Sequence, residues 1–118
     1  MTSSAGRLLI HLAPDRVRVI DLADVYYLEA EGELTLVRTR SARRIRDVRR
    51  MGEVLGTLAE PALVRIHRNH AVNPDRIREI RRRTPGGDWE VKLEPPVNRV
   101  LPVSRNASKR LWAVLTAR

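Results

Sequence analysis

Residues Val64 to Arg83 read VRIHRNHAVNPDRIREIRRR. Two histidines, His67 and His70, stand three apart with Asn69 between them, and a basic tract follows. Three chemistries suit such a stretch: metal ligation, acid–base catalysis, or grip on a polyanion. Metal ligation needs three or four ligands at matched spacing. The remaining histidine, His11, is remote in sequence, cysteine is absent, and Asp75 and Glu79 follow no ligand spacing. The segment alternates like a strand that is ending, and residues three apart on a strand point to opposite faces. Metal binding is therefore not expected.

Catalysis fares no better. The letters His-Asn-His match the label of the HNH nucleases, but those spread the three residues over a hairpin and a helix, whereas here they fall within four positions. No serine or cysteine nucleophile stands beside a base, and no glycine-rich phosphate loop is present. The plain structural reading of His67 is a strand histidine that donates to a neighbouring carbonyl. It is compatible with binding, since His67 would orient the loop while Arg68 makes the contact.

Charge favours the third chemistry. The 118 residues carry 23 basic and 14 acidic side chains, a net charge of +9, and only Lys92 and Lys109 are lysines. Arginine offers a planar fork of donors suited to phosphate and to the guanine edge. A GC-rich coding bias would also enrich arginine on any surface, but it does not account for the positive balance. A positive field speeds encounter with nucleic acid or an anionic membrane. The aromatic residues are only Tyr26, Tyr27, Trp89 and Trp112, too few for a base-stacking platform. The length suits one domain. No apolar run approaches the roughly 20 residues of a membrane helix, and MTSSAGR lacks the apolar core of a signal peptide. With no cysteine, a cytoplasmic protein is expected.

The elements that position these residues are mostly short strands. RLLIHL and RVRVID flank a turn at Ala13–Asp15; in the second, Val17 and Val19 are expected on the buried face and Arg16 and Arg18 outside. DVYYLEA and ELTLVRT form two more strands around Glu31-Gly32-Glu33, and RRIRDV is a charged edge strand. From Val48 the period becomes helical: Val48, Met51, Val54, Leu55, Leu58 and Ala59 share one arc and Arg49, Arg50, Glu53 and Thr57 the other, a helix of about three turns stopped by Pro61. ALVRIHR returns to alternation, with Val64 and Ile66 inward. RIREIRRR, WEVKL and RVLPV are strands, the last held to an edge by Pro102. The tail from Arg105 is helical, capped by Ser104, with Ala107, Leu111, Trp112, Val114 and Leu115 on its apolar arc. Residues 1–6 are expected to be disordered and 7–118 to form one domain.

On these residues the chain resembles the LytTR DNA-binding domain, the output domain of bacterial response regulators of the LytR/AgrA class. The pattern Arg-Ile-His-Arg-Ser-aromatic-x-Val-Asn, Ile-x-x-Ile, then Pro-Val-Ser-Arg is met by Arg65, Ile66, His67, Arg68, Val72, Asn73, Ile77, Ile80, Pro102, Val103, Ser104 and Arg105. Upstream, Val25, Tyr27, Leu28, Glu29, Ala30 and Gly32 match a second segment. Asn69 replaces serine, His70 an aromatic and Leu34 a tyrosine. No phospho-acceptor receiver domain precedes, so either the chain is a stand-alone regulator or it is a fragment.

The resemblance implies a mainly β, elongated antiparallel fold of about ten short strands in three sheets, with one central and one C-terminal short helix. It also implies sequence-specific binding of promoter double-stranded DNA, without catalysis, cofactor or metal. Loop side chains would enter two successive major grooves, on paired direct repeats, with a homodimer on DNA possible. The matching base contacts are Arg68, Arg105 and Asn106, with Thr35 or Glu33 from the GELT stretch. Arg43, Arg44, Arg65, His67, Asn69, Ser104, Lys109 and Arg110 would hold the DNA backbone. The alternatives are a protein-interaction module, such as an anti-activator that keeps the fold, and an RNA-binding domain. An enzyme is the least favoured class.

Overall fold

The structure, a computed structural model, describes residues 6–41, 44–58 and 62–117. It is organised around one strand, β3 (Val25–Glu31), in which Val25, Tyr26, Tyr27 and Leu28 are all buried. A strand buried over four consecutive residues must be covered on both faces. A register irregularity between Val25 and Tyr27 turns both tyrosines to the same side.

β3 is the middle strand of a five-stranded antiparallel sheet in the order β5-β4-β3-β7-β6, built also from β4 (Leu34–Thr39), β5 (Arg44–Asp47), β6 (Val64–His67) and β7 (His70–Val72). One face packs on the hairpin of β1 (Arg7–Ala13) and β2 (Arg16–Asp21) and on α1 (Met51–Gly56), through Leu8, Ile10, Val25, Leu28, Val37, Met51 and Val54. The other packs on a three-stranded sheet, order β10-β9-β8, and on α2 (Arg105–Thr116), through Tyr26, Tyr27, Ile66, Val91, Leu93, Leu101, Ala107 and Leu111. That sheet comprises β8 (Ile77–Arg82), β9 (Trp89–Leu93) and β10 (Val100–Val103). Each fully buried leucine or isoleucine stabilises the fold by about 1.5–3 kcal/mol. The result is elongated, 48 × 37 × 26 Å.

Among the described residues, ten strands in three antiparallel sheets with two helices make up the architecture expected from the sequence. β5 and β10 are edge strands as anticipated, and Pro102 is exposed in β10. Val64 and Ile66 point inward. Asn73 is buried and fully used: its amide donates to the Leu22 and Val25 carbonyls at 3.0 and 2.9 Å, and its oxygen accepts from Asp75 N–H at 3.0 Å. It ties the start of β3 to the turn before β8.

The structure departs from expectation in four places. Val17 and Val19 are 47% and 54% exposed. They stand opposite His11 and Leu9 on the outer face of the hairpin, while Leu8, Ile10 and Ile20 face the core. The helix from Val48 is shorter than its pattern. Val48 is exposed, and its N–H bonds the His11 carbonyl; α1 begins only at Met51, after the Arg50 N–H is taken by Glu53. Thr57 closes α1 early, its hydroxyl and N–H both returning to the Val54 carbonyl. Ala59 and Pro61, expected to extend and stop this helix, lie outside the described residues, as do residues 1–5 of the expected disordered start. Gly6, also assigned to that start, accepts from Leu22 N–H at 3.1 Å. β7, three residues long, was not anticipated as a strand.

Candidate nucleic-acid interface

β3 runs toward the Gly32–Glu33 turn, where Gly32 takes a φ of 61° that suits glycine. The strand register brings two other chain reversals to that end of the sheet. β6 and β7 are joined by Arg68 and Asn69, and His70 stands opposite Glu29. β5 ends at Asp47, opposite Thr35, and Val48–Arg50 continues from there. The start of α2 joins them because Ser104 N–H donates to the Ile66 carbonyl at 2.7 Å. Four segments distant in sequence therefore converge on one end of the molecule.

Two of these segments are braced by hydrogen bonds. Ala30 N–H donates to the Asn69 carbonyl at 2.9 Å, and the Arg65 guanidinium donates to the Arg68 carbonyl at 2.7 Å. Ser104 caps α2, its hydroxyl accepting from Ala107 N–H at 3.3 Å. Ala107 and Leu111 bury the apolar arc of α2, and Arg105, Asn106, Lys109 and Arg110 stay exposed. Trp112, placed on the apolar arc by its spacing, is 41% exposed and meets the edge of Trp89.

A concavity of about 200 Å³ is lined by Arg65, His67, Arg68, Ser104, Asn106, Ala107 and Arg110. Six of the residues expected to bind thus share one wall. Arg105 looks to the other side of the same helix turn, into a second concavity of about 230 Å³ with Arg82, Trp89 and Ser108. Among the described residues, neither Arg68 nor Arg105 has an ion-pair partner. Both guanidiniums remain available for an incoming acceptor. Asn69 and Lys109 are exposed beside these groups in the chain. Glu33 is exposed on its turn and pairs with Arg50 at 3.1 Å.

Other expected contacts do not belong to this face. Thr35 is fully buried, and its hydroxyl donates to the Arg49 carbonyl at 2.8 Å, so it has nothing left to offer a ligand. Arg44 stands opposite Arg38, at the far end of β4 and β5 from the converging turns. Arg43 lies outside the described residues. Among the described residues, His67 donates to no carbonyl; its Nδ1 accepts from Asn69 N–H at 3.2 Å.

Two charged clusters lie under the surface. Asp47 is fully buried and accepts from His11 N–H, Arg49 N–H and both forks of the Arg49 guanidinium, at 2.9 to 3.1 Å. Burial works to raise the Asp47 pKa, but the Arg49 and His11 hydrogen bonds outweigh it and hold the carboxyl below its ordinary range. The second cluster surrounds His70. His70 is packed against Tyr27 and His67, with Nε2 3.6 Å from Glu29, and Glu29 lies 3.9 Å from Arg99. Burial keeps the His70 ring below the usual imidazole value, against the pull of Glu29 and with the push of His67 and Arg99.

Arg50 and Arg82 were not singled out from the sequence. Arg82 was readable in part: alternation along β8 places it with Ile80 on the core side, where it lies 4.8 Å over the Trp89 ring.

No curated protein matches this chain. Among solved structures, the chain is similar to the LytTr DNA-binding domain of a protein described as a methyl-accepting/DNA response regulator from Bacillus cereus. That likeness has a TM-score of 0.73 and 19% identity over 98% of this chain and 100% of that one. A family model, the LytTr DNA-binding domain, matches residues 15–116, and the chain belongs to that family.

Proposed function

We propose that this domain binds double-stranded DNA sequence-specifically to regulate transcription. The observation that carries the reading is the placement of Arg68 and Asn106 in one concavity and Arg105 in the next, on either side of Ser104, beside the basic rim of Arg65, Arg110 and Lys109. In this reading Arg68 and Arg105 take guanine edges, each bidentate pair giving roughly 1–3 kcal/mol of discrimination. Asn106 takes adenine or a phosphate. Glu33, on a separate turn at the same end, accepts from a base amino group in the adjacent major groove. His67, Asn69, Lys109, Arg110 and the free N–H groups at the start of α2 hold phosphates and set register.

The two concavities on either side of Ser104 support contacts on both flanks of one helix turn. Paired direct repeats, with two copies of the domain on one duplex, are the proposed target arrangement.

Selection from a random duplex pool, followed by footprinting, tests this reading. The expected outcome is an enriched motif protected over two successive major grooves, with affinity falling steeply with salt through counterion release. Equal affinity for selected and scrambled duplexes at physiological salt would overturn it and leave a protein-interaction module as the better account.

A further inference from the structure

We propose that His67 is a positioning residue for DNA reading. Its Nδ1 replaces the side-chain oxygen of an Asx turn and holds the Arg68–Asn69 turn in shape, while its Nε2–H faces outward to a phosphate. This rests on the DNA reading above.

The β6–β7 hairpin has only Arg68 and Asn69 between the paired residues His67 and His70. Three backbone groups of this turn are held by other parts of the protein. Arg65 holds the Arg68 carbonyl, Ala30 holds the Asn69 carbonyl, and the His67 ring holds the Asn69 N–H. The last bond spans two residues from side chain to backbone N–H, the pattern that asparagine and aspartate oxygens make in turns. An Nδ1 that accepts carries no proton, so the neutral ring bears its proton on Nε2. The ring lines the same concavity as Arg68 and Asn106, which is where that N–H is useful.

A loosened turn weakens only the contact that Arg68 makes to its base, whereas a lost phosphate contact weakens binding to any duplex. The ratio of affinities for a selected and a scrambled duplex separates the two.

The test uses the whole chain, a duplex enriched from a random pool, and a scrambled duplex of equal length. His67→Asn keeps an acceptor at the same place, so it should weaken both duplexes alike and keep most of the wild-type ratio. His67→Phe should lose roughly tenfold in the ratio, the worth of a misplaced base contact. A His67→Asn ratio as low as that of His67→Phe, or an unchanged ratio in His67→Phe, overturns the proposal while the DNA reading stands.

Nitrogen NMR of the free protein gives an independent readout. The Nε2–H tautomer and a protected Asn69 amide are expected in wild type, with that protection kept in His67→Asn and lost in His67→Phe. The Nδ1–H tautomer, or an unprotected Asn69 amide in wild type, overturns it. If no duplex is enriched, the DNA reading fails, and the NMR result alone decides the turn.

Discussion

Arg49 and Arg68 leave the same end of the five-stranded sheet, each just past one of its two edge strands, and they meet opposite fates. Arg49 folds back: both sides of its fork bind Asp47, and its Nη2 also donates to the Leu9 carbonyl at 2.9 Å. Among the described residues Arg68 has no such acid, its turn is braced through backbone atoms, and the residue is left exposed. Identical side chains at equivalent places are set apart by one buried carboxylate. An arginine count therefore says little about binding until internal acceptors have been subtracted.

The largest effect that would sharpen this contrast is on the Arg49 side. Asp47→Ala leaves a guanidinium and two backbone donors without their acceptor and should cost about 3 kcal/mol of stability. Urea unfolding measures the loss. The pH dependence fixes its origin. The Asp47 carboxyl is depressed in the fold, so its contribution is present above the ordinary value of 3.8 and is lost as pH falls below that. Wild type and Asp47→Ala should converge in stability in acid. A constant gap down to pH 2 would show that the carboxylate's charge is not what holds the bend.

On the other side, Arg68→Ala should leave the unfolding midpoint unchanged and cost roughly 1–3 kcal/mol of affinity for a selected duplex, with little change for a scrambled one. Calorimetric titration checks it, and a stability loss matching that of Asp47→Ala would erase the contrast. Thr35→Val removes the hydroxyl that holds the Arg49 carbonyl and should cost about 1–2 kcal/mol of stability, with DNA affinity unaltered; a selective affinity loss would return Thr35 to the interface. The smallest effect is expected at Lys109. Lys109→Ala should weaken all duplexes alike and reduce the salt slope by about 0.9, one released counterion.

Much of this fold was legible before the structure. Alternation placed Val64 and Ile66, Pro102 marked an edge, and Ser104 announced α2. The failures have physical causes. Met51 and Val54 do sit on a buried helical arc, but the Asp47–Arg49 pair and its bonds to Leu9 and His11 hold the chain in a bend ahead of Arg50, and local periodicity does not register bonds to a strand so distant in sequence. Along β1, Leu8, Leu9 and Ile10 are all apolar, so sequence could not say which face of a two-stranded hairpin would be covered. In β4 the inward positions are Thr35, Val37 and Thr39, while the more apolar Leu34 and Leu36 are half-buried. The resemblance offers Thr35 as a contact, but the register of β4 turns it inward. Arg68, Arg105 and Asn106 enter as candidate contacts through the family resemblance. Their placement around one helix turn was not legible, because it depends on a backbone bond between residues 66 and 104.

That bond, from Ser104 N–H to the Ile66 carbonyl, fixes an interval. The strand that delivers Arg68 and the helix that delivers Asn106 cannot slide past one another without breaking it. Their separation is set when the chain folds, before any duplex arrives. On the proposed reading the domain acts as a gauge of fixed opening: a site whose bases are wrongly spaced must bend to be read, and the elastic cost, of order 1–6 kcal/mol for a substantial bend, falls on the DNA.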